Sequence, residues 1–403
     1  MYIIGIVVKA YKYRIYPTKT QGLLLAKHFG CVRFIYNWGL EQKVKAYNET
    51  KKSVSKYTLA LELTKLKKSE DTKWLSEVNA QSLQQSLIHL DMAFTRFFKE
   101  KKGFPKFKSK YDNYQSFSIP QDTKVSFDNS RLYIPKFKEG IKCRFSRKFD
   151  GKIKTSIVSR TPTGKYFISI LVETNETTVP KMPIDENKAV GVDLGIKTFA
   201  ILSDGTEIQN PKNLKKSLKR LKRLQRSVSR KKKGSNSRKR AVKLLARQYE
   251  KVTNRRKDFL HKTSKWLLDH YDTICLETLS ASNMLKNHRL AQALSDISIG
   301  TFNAYMDYKA EWYGKNIIRI GRFEPSSKMC SCGHIHSGLK LSDRVWTCPC
   351  CGSVNQRDLL AAQNIKKFAF KLNNTARTAE IYAVEPMNPA RGAATETCTA
   401  SCG

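Results

Sequence analysis

Residues 189–202 read AVGVDLGIKTFAIL. Apolar residues crowd a single carboxylate, Asp193, and two glycines, Gly191 and Gly195, flank it. The stretch predicts a strand, a turn and a second strand that continues into SDGTEI. An Asp within an apolar strand is costly unless it is paired or binds a metal. The adjacent glycines leave room for a phosphate backbone to approach. Two further acids have comparable settings. Glu277 ends the apolar run of DTICLETLSASNM, so it emerges where a buried strand gives way to a loop, a common place for catalytic groups. Asp358 opens NQRDLLAAQNI, in which Leu359, Ala362 and Ile365 have helical spacing. Taken alone, Asp358 reads first as a helix cap. Taken together, three carboxylates far apart in sequence offer hard oxygen ligands suited to Mg²⁺. Two such ions about 4 Å apart are what in-line phosphodiester cleavage uses.

The charge balance points to the same substrate class. Lys and Arg number 75 against 34 Asp and Glu, a formal net charge of +41 on 403 residues. Solubility does not require that excess, so a polyanionic partner held through its phosphates is expected. With 40% hydrophobic residues the chain can build real cores, which excludes global disorder. No run of 18 apolar residues occurs, so no transmembrane helix and no membrane partner are expected. A cytoplasmic, prokaryotic setting follows from this reading.

Along the chain, residues 2–16 alternate like a strand, and Thr18 with Gln21 has capping-box spacing at the start of a helix. Leu25, Phe29, Val32, Tyr36 and Leu40 fall on one helical face, and helical patterns continue to about Lys101. At Gly103 the character changes. GFPKFKSKYDNYQSF sets Phe104, Phe107, Tyr111, Tyr114 and Phe117 among lysines. These rings read either as base-stacking groups or as core anchors of a loop. Residues 122–176 read as short strands around the turn TPTGK, predicting a small β-barrel or sandwich. Residues 210–257 carry 21 Lys or Arg and one acid, Glu250. Two apolar stripes, Leu214 to Val228 and Val242 to Val252, predict a basic helical hairpin that turns at KKKGSNSRK, with a further helix over 258–271.

Five of the ten cysteines lie between Cys330 and Cys351, in MCSCGHIHSGLKLSDRVWTCPCCG. Cys348 and Cys351 form a C-x-x-C knuckle, and Cys330 and Cys332 a shorter C-x-C pair. Each pair is followed closely by glycine, which reads as a structural zinc ribbon. His334, His336 and Cys350 stand close enough to be alternative ligands.

These motifs resemble those of the TnpB (OrfB) family of IS200/IS605- and IS607-type transposons, related to type V CRISPR effectors. The resemblance spans roughly residues 9–368. It is carried by KAYKYRIYPT, FGCVRFIYN, GFPKFKSK, GVDLGIKTFA, LETLSASNM, FEPSSKMCSCG, LKLSDRVWTCPCCG and RDLLAAQNI, in that order. It implies a mixed α/β and α+β multidomain protein. A β-barrel wedge domain would occupy 1–16 and 103–180, and a helical recognition domain 17–102. A RuvC-like, RNase H-fold nuclease domain would occupy 187–329 and 353–370, a zinc ribbon 330–352 and a disordered tail 371–403. It further implies an RNA-guided, Mg²⁺-dependent DNA endonuclease whose partners are a transposon-derived guide RNA and double-stranded target DNA, with its oligomeric state left open. By position Asp193, Glu277 and Asp358 match the family's three catalytic acids, holding two Mg²⁺. Cys330, Cys332, Cys348 and Cys351 match its zinc ligands. The chain departs from the family where C-S-C replaces C-x-x-C. Two other readings stay in play: a transposase that performs strand transfer itself, and a non-cleaving RNA-guided DNA-binding regulator.

Overall fold

The computed structural model describes residues 6–112, 114–279, 281–340 and 342–384. These residues divide into two compact units, one drawn from 6–178 with 219–251, the other from 179–218 with 252–384.

The first unit opens with β1 (Ile6–Tyr16), then three helices, α1 (Lys19–Thr50), α2 (Lys56–Leu66) and α3 (Ala80–Glu100). Thr18 and Gln21 close the capping box at the head of α1. Six strands follow: β2 (Gln115–Ile119), β3 (Lys124–Ser126), β4 (Arg131–Tyr133), β5 (Ile141–Arg144), β6 (Lys152–Arg160) and β7 (Tyr166–Thr177). Among the described residues they form one sheet in the order β2-β6-β7-β1-β5-β4-β3. The edge strands β2 and β3 do not pair with each other, so the sheet is open and the expected barrel is not closed. Short β3 and β4, three residues each, cannot supply the continuous ladder that closure needs.

The anticipated face of α1 is buried: Leu25, Phe29, Val32, Tyr36 and Leu40 are all in the interior. Each contributes about 1.5–3 kcal/mol by leaving water. Leu25 and Phe29 share one cluster with Leu59 and Leu83 of α2 and α3 and with Tyr13, Ile15 and Ile168 of the sheet. The helical segment expected as a separate domain therefore has a common core with the sheet that flanks it in sequence.

The second unit begins with β8 (Ala189–Leu194), β9 (Thr198–Leu202) and β10 (Glu207–Gln209), and the chain continues through α4 (Asn213–Ser229) and α5 (Asn236–His270), which are shared between the two units. The basic helical hairpin is present, but its second arm runs unbroken to His270, absorbing the separate helix expected at 258–271. No Gly or Pro interrupts 236–270. Residues 219–251 of the hairpin group with the first unit, where Lys165 pairs with Glu250 at 3.0 Å. On α5 the buried positions near the turn are Ala241, Gln248 and Val252, while Val242 and Tyr249 of the anticipated stripe are exposed.

The remainder comprises β11 (Thr273–Glu277), α6 (Ala281–Met284), α7 (His288–Ile297), α8 (Ile299–Tyr313), β12 (Asn316–Ile320), β13 (Val345–Thr347), β14 (Val354–Gln356) and α9 (Arg357–Val384). The main sheet has the order β10-β9-β8-β11-β12. β8 runs antiparallel to β9 and parallel to β11, which runs parallel to β12. Helix α9 continues to Val384, so residues 371–384 of the expected disordered tail are helical. The rest of that tail, with Cys398 and Cys402, lies outside the described residues. No described helix is long and apolar enough to cross a membrane.

Candidate active site

The three acids come together at one end of the second unit's sheet. Parallel pairing of β8 with β11 ends at Val192 opposite Leu276, so Asp193 and Glu277 follow at the same level on adjacent strands. The side chains beneath them are apolar and buried, with Val190, Val192, Ile274 and Leu276 at 0–1% exposure. Asp358 arrives from α9. That helix crosses β8 at Gly191, where a Cβ would stand 2.0 Å from the Ala362 carbonyl oxygen. Only glycine permits this backbone-on-backbone approach. The room at Gly191 thus admits the chain's own helix rather than a phosphate backbone. Gly195 likewise serves the β8–β9 turn, where a Cβ would meet the Thr198 carbonyl at 2.8 Å.

Asp193, Glu277 and Asp358 line a single cavity of about 860 Å³, with Lys197, Lys212, Lys215 and Arg344 also in its walls. Burial raises the Asp193 pKa to about 7, and the negative charges of Glu277 and Asp358 add to the effect, against Arg357 and Arg344. Three carboxylates that repel one another in a partly dry site fit a divalent cation. Lysines on the rim suit a substrate of negative charge.

Several neighbours that sequence reading did not single out position these acids. Ser326 donates its hydroxyl to Glu277 Oε1. Asn364 of α9, buried, donates to the carbonyls of Ser326 and Met329, both at 2.7 Å, and so ties that loop to the helix. Arg344 Nη1 reaches both Asp358 oxygens, at 3.0 and 3.1 Å. The Asp358 carboxylate therefore faces Arg344 across the cavity wall, and the residue sits within the first helical turn rather than ahead of it as a cap. Asn364 had one available signal, a polar residue on the apolar face of α9; Arg344 had none beyond its place beside the cysteines.

Cys330, Cys332, Cys348 and Cys351 bring their sulfurs within 4.8 Å of one another. Cys330 and Cys351 are 3.6 Å apart and Cys332 and Cys348 3.7 Å. A tetrahedral zinc with bonds of about 2.3 Å requires sulfurs about 3.8 Å apart, so the cluster fits such an ion. The Ser353 hydroxyl, 3.2 Å from Cys330 Sγ, lowers that thiol below its ordinary range, which favours the thiolate form a metal takes. The shortened knuckle is accommodated by a turn at Gly333, whose φ is 92°. His334, His336 and Cys350 stay outside the cluster, and His336 packs edge-on against Trp346. The hairpin β13–β14 that carries Cys348 and Cys351 runs directly into α9, and the Arg344 carbonyl accepts the Arg357 amide at 2.8 Å. The cysteine cluster thereby anchors the start of the helix that bears Asp358.

Comparison with known proteins adds the lineage. The family profile described as "Probable transposase" matches residues 169–288, and one described as "Cas12f1-like, TNB domain" matches 300–365. A third, described as "Helix-turn-helix domain", matches 7–52, which fold here as β1 and the single helix α1. A "Putative RNA-guided DNA endonuclease" from Streptomyces pristinaespiralis is 40% identical over 362 residues, 89% of each chain. The "Putative RNA-guided DNA endonuclease InsQ" of Escherichia coli (strain K12) is 30% identical, covering 89% of this chain and 91% of that protein. Among solved structures, the "Cryo-EM structure of the Cas12f1-sgRNA-target DNA complex" superposes with a TM-score of 0.52 at 14% identity, over 90% of this chain and 99% of that one. At that identity the likeness speaks for the fold alone. Kinship at 40% identity along nearly the whole of both sequences makes this chain a member of the TnpB (OrfB) family.

Proposed function

We propose that this chain is an RNA-guided, Mg²⁺-dependent DNA endonuclease of RuvC-like type, encoded by a transposon. The observation that carries the reading is the meeting of Asp193, Glu277 and Asp358 in one lysine-rimmed cavity, each delivered by a different element. The sheet order, three antiparallel strands followed by two parallel ones, suits an RNase H-like nuclease unit. The names of the relatives at 40% and 30% identity support the RNA-guided activity.

In this reading Asp193, Glu277 and Asp358 hold two Mg²⁺. Bound Mg²⁺ supplies activation of the attacking water and neutralisation of charge on the scissile phosphate. Lys197, Lys212 and Lys215 steer the phosphate backbone into the cavity. Ser326 holds the Glu277 carboxylate in place through its hydroxyl, and Arg344 holds that of Asp358. Cys330, Cys332, Cys348 and Cys351 hold a structural zinc that fixes the start of α9. Guide pairing reads the target while the protein reads a short flanking motif. The basic hairpin α4–α5 and the segment 103–110 hold RNA and heteroduplex through their cations.

The test is cleavage of target DNA by the purified protein–RNA complex. Asp193→Ala should abolish Mg²⁺-dependent cleavage with RNA and DNA binding retained; cleavage that survives the substitution removes the assignment. Sequencing of co-purifying RNA separates this activity from strand transfer: a single RNA species of defined length is expected, and an RNA-free protein that joins DNA ends would overturn it.

A further inference from the structure

The first unit carries a second recognition surface, on α1 and the segment that follows α3. We propose that it binds unpaired nucleotides of a single-stranded nucleic acid, stacking successive bases on Phe107 and Tyr111 and taking one base into a cavity walled by Phe34 and Trp74. This surface presupposes the nucleic-acid reading above and adds which nucleotides are held, and by what chemistry.

Residues 101–114 form neither helix nor strand where they are described, yet the main chain is tied down. Asn37 of α1 clamps Lys108 from both sides, its amide donating to the Lys108 carbonyl at 2.9 Å and its oxygen accepting the Lys108 amide at 2.8 Å. The Asp112 carboxylate accepts the Ser109 amide at 2.8 Å. Phe104 is the anchor of the segment, meeting Phe94 and Phe97 edge-on at 5.5 and 5.4 Å. Phe107 and Tyr111 are more open to water, at 62% and 86% exposure against 48% for Phe104. Lys106 and Lys110 stand beside them in sequence. Rings held open to water on a tethered chain and interleaved with cations are the elements of a stacking platform: every base offers a π-face and every linkage a phosphate.

Asn37 also lines a cavity of about 660 Å³ between α1 and the short 3-10 helix of residues 70–77, so platform and cavity adjoin. Phe34 and Trp74 meet edge-to-face there at 5.1 Å, and the Trp74 indole N–H donates to the Asp71 carbonyl at 3.0 Å, which fixes the ring. Arg33 and Glu41 in the same wall offer a donor and an acceptor to a base edge. A duplex keeps its π-faces stacked inside, so rings of this kind select unpaired nucleotides. Unpaired guide RNA and a displaced DNA strand share that chemistry.

The experiment measures affinity of the full chain, freed of nucleic acid and without Mg²⁺, for fluorescent oligouridine RNA, oligothymidine DNA and a duplex of equal length. Because nothing is cut, the outcome is independent of whether the chain cleaves DNA. The double variant Phe107→Leu/Tyr111→Leu should lose about tenfold or more on the single strands and less than about twofold on the duplex. Trp74→Leu should lose about fivefold and reduce the quenching of indole fluorescence on binding, the remainder coming from Trp38 in the same wall. Tighter RNA than DNA assigns the surface to the guide, and the reverse assigns it to the displaced strand. Equal losses on single strand and duplex, or no loss with melting temperatures unchanged, would overturn the proposal.

Discussion

The two sides of the acid cavity are built by different means. Asp193 and Glu277 stand at one level because β8 and β11 are neighbouring parallel strands whose apolar residues lock the register. A one-residue slip would send those side chains to the opposite face of the sheet, so the core itself specifies where the two carboxylates emerge. Asp358 has no such ladder. Its position comes from a helix whose start is pinned by the β13–β14 hairpin, four thiols and Arg344, and whose crossing depends on one missing Cβ. The strand side is set by a large cooperative core and the helix side by a few local ties. The helix side should therefore be the easier one to displace.

The largest effects test whether the two sides form one site. Glu277→Ala and Asp358→Ala should each lower Mg²⁺-dependent cleavage at least about 1000-fold, about 4 kcal/mol of barrier, with guide binding unchanged. An Asp358→Ala protein that cuts normally would separate the helix from the chemistry.

Gly191→Ala probes the crossing between the sides. A methyl group 2.0 Å from the Ala362 carbonyl must force β8 and α9 apart, at a cost of about 3 kcal/mol. The melting temperature should drop by about 10 °C, as read by calorimetry. An unchanged melting temperature would mean that the helix crosses elsewhere.

Cys348→Ser attacks only the helix side. Zinc content, measured by metal analysis, should fall from about one per chain to near zero, and cleavage by about 10–100-fold. The main thermal transition should move little, because the five-stranded sheet keeps its own core. Loss of zinc with full activity would show that the knuckle does not position Asp358.

The smallest effect is a pH dependence on the strand side. Asp193, held near 7, keeps its proton in the folded chain where an unfolded Asp loses it near pH 3.9. Without metal, this contribution to stability is complete below about pH 4 and declines as pH rises through 7. Asp193→Asn should flatten that slope in a melting series with chelator. A divalent cation has to displace the same proton, so the rise in melting temperature on adding Mg²⁺ should be greater at pH 8 than at pH 6.

Local patterns carried a large share of this reading. The Thr18–Gln21 capping box, the buried face of α1, the β6–β7 hairpin around TPTGK and the strand ending in Glu277 all follow from spacing and periodicity, which act over a few residues. The segment 103–117 shows where such reasoning divides. Phe104 packs on α3 and Phe117 enters the core, while Phe107 and Tyr111 stay in water. Composition alone cannot sort one ring from the next, because burial depends on what the segment meets.

The charge that suits a polyanion, the cysteine knuckles and the apolar settings of the acids are legible in the chain directly, since these are properties of residue type and near spacing. Tertiary structure decided the rest. It left the first sheet open, joined its helices to the same core, excluded His334, His336 and Cys350 from the sulfur cluster, and set Arg344 against Asp358. Each of these outcomes depends on contacts between residues distant in the chain, whose geometry is fixed only when the strands pair and α9 crosses β8 at Gly191.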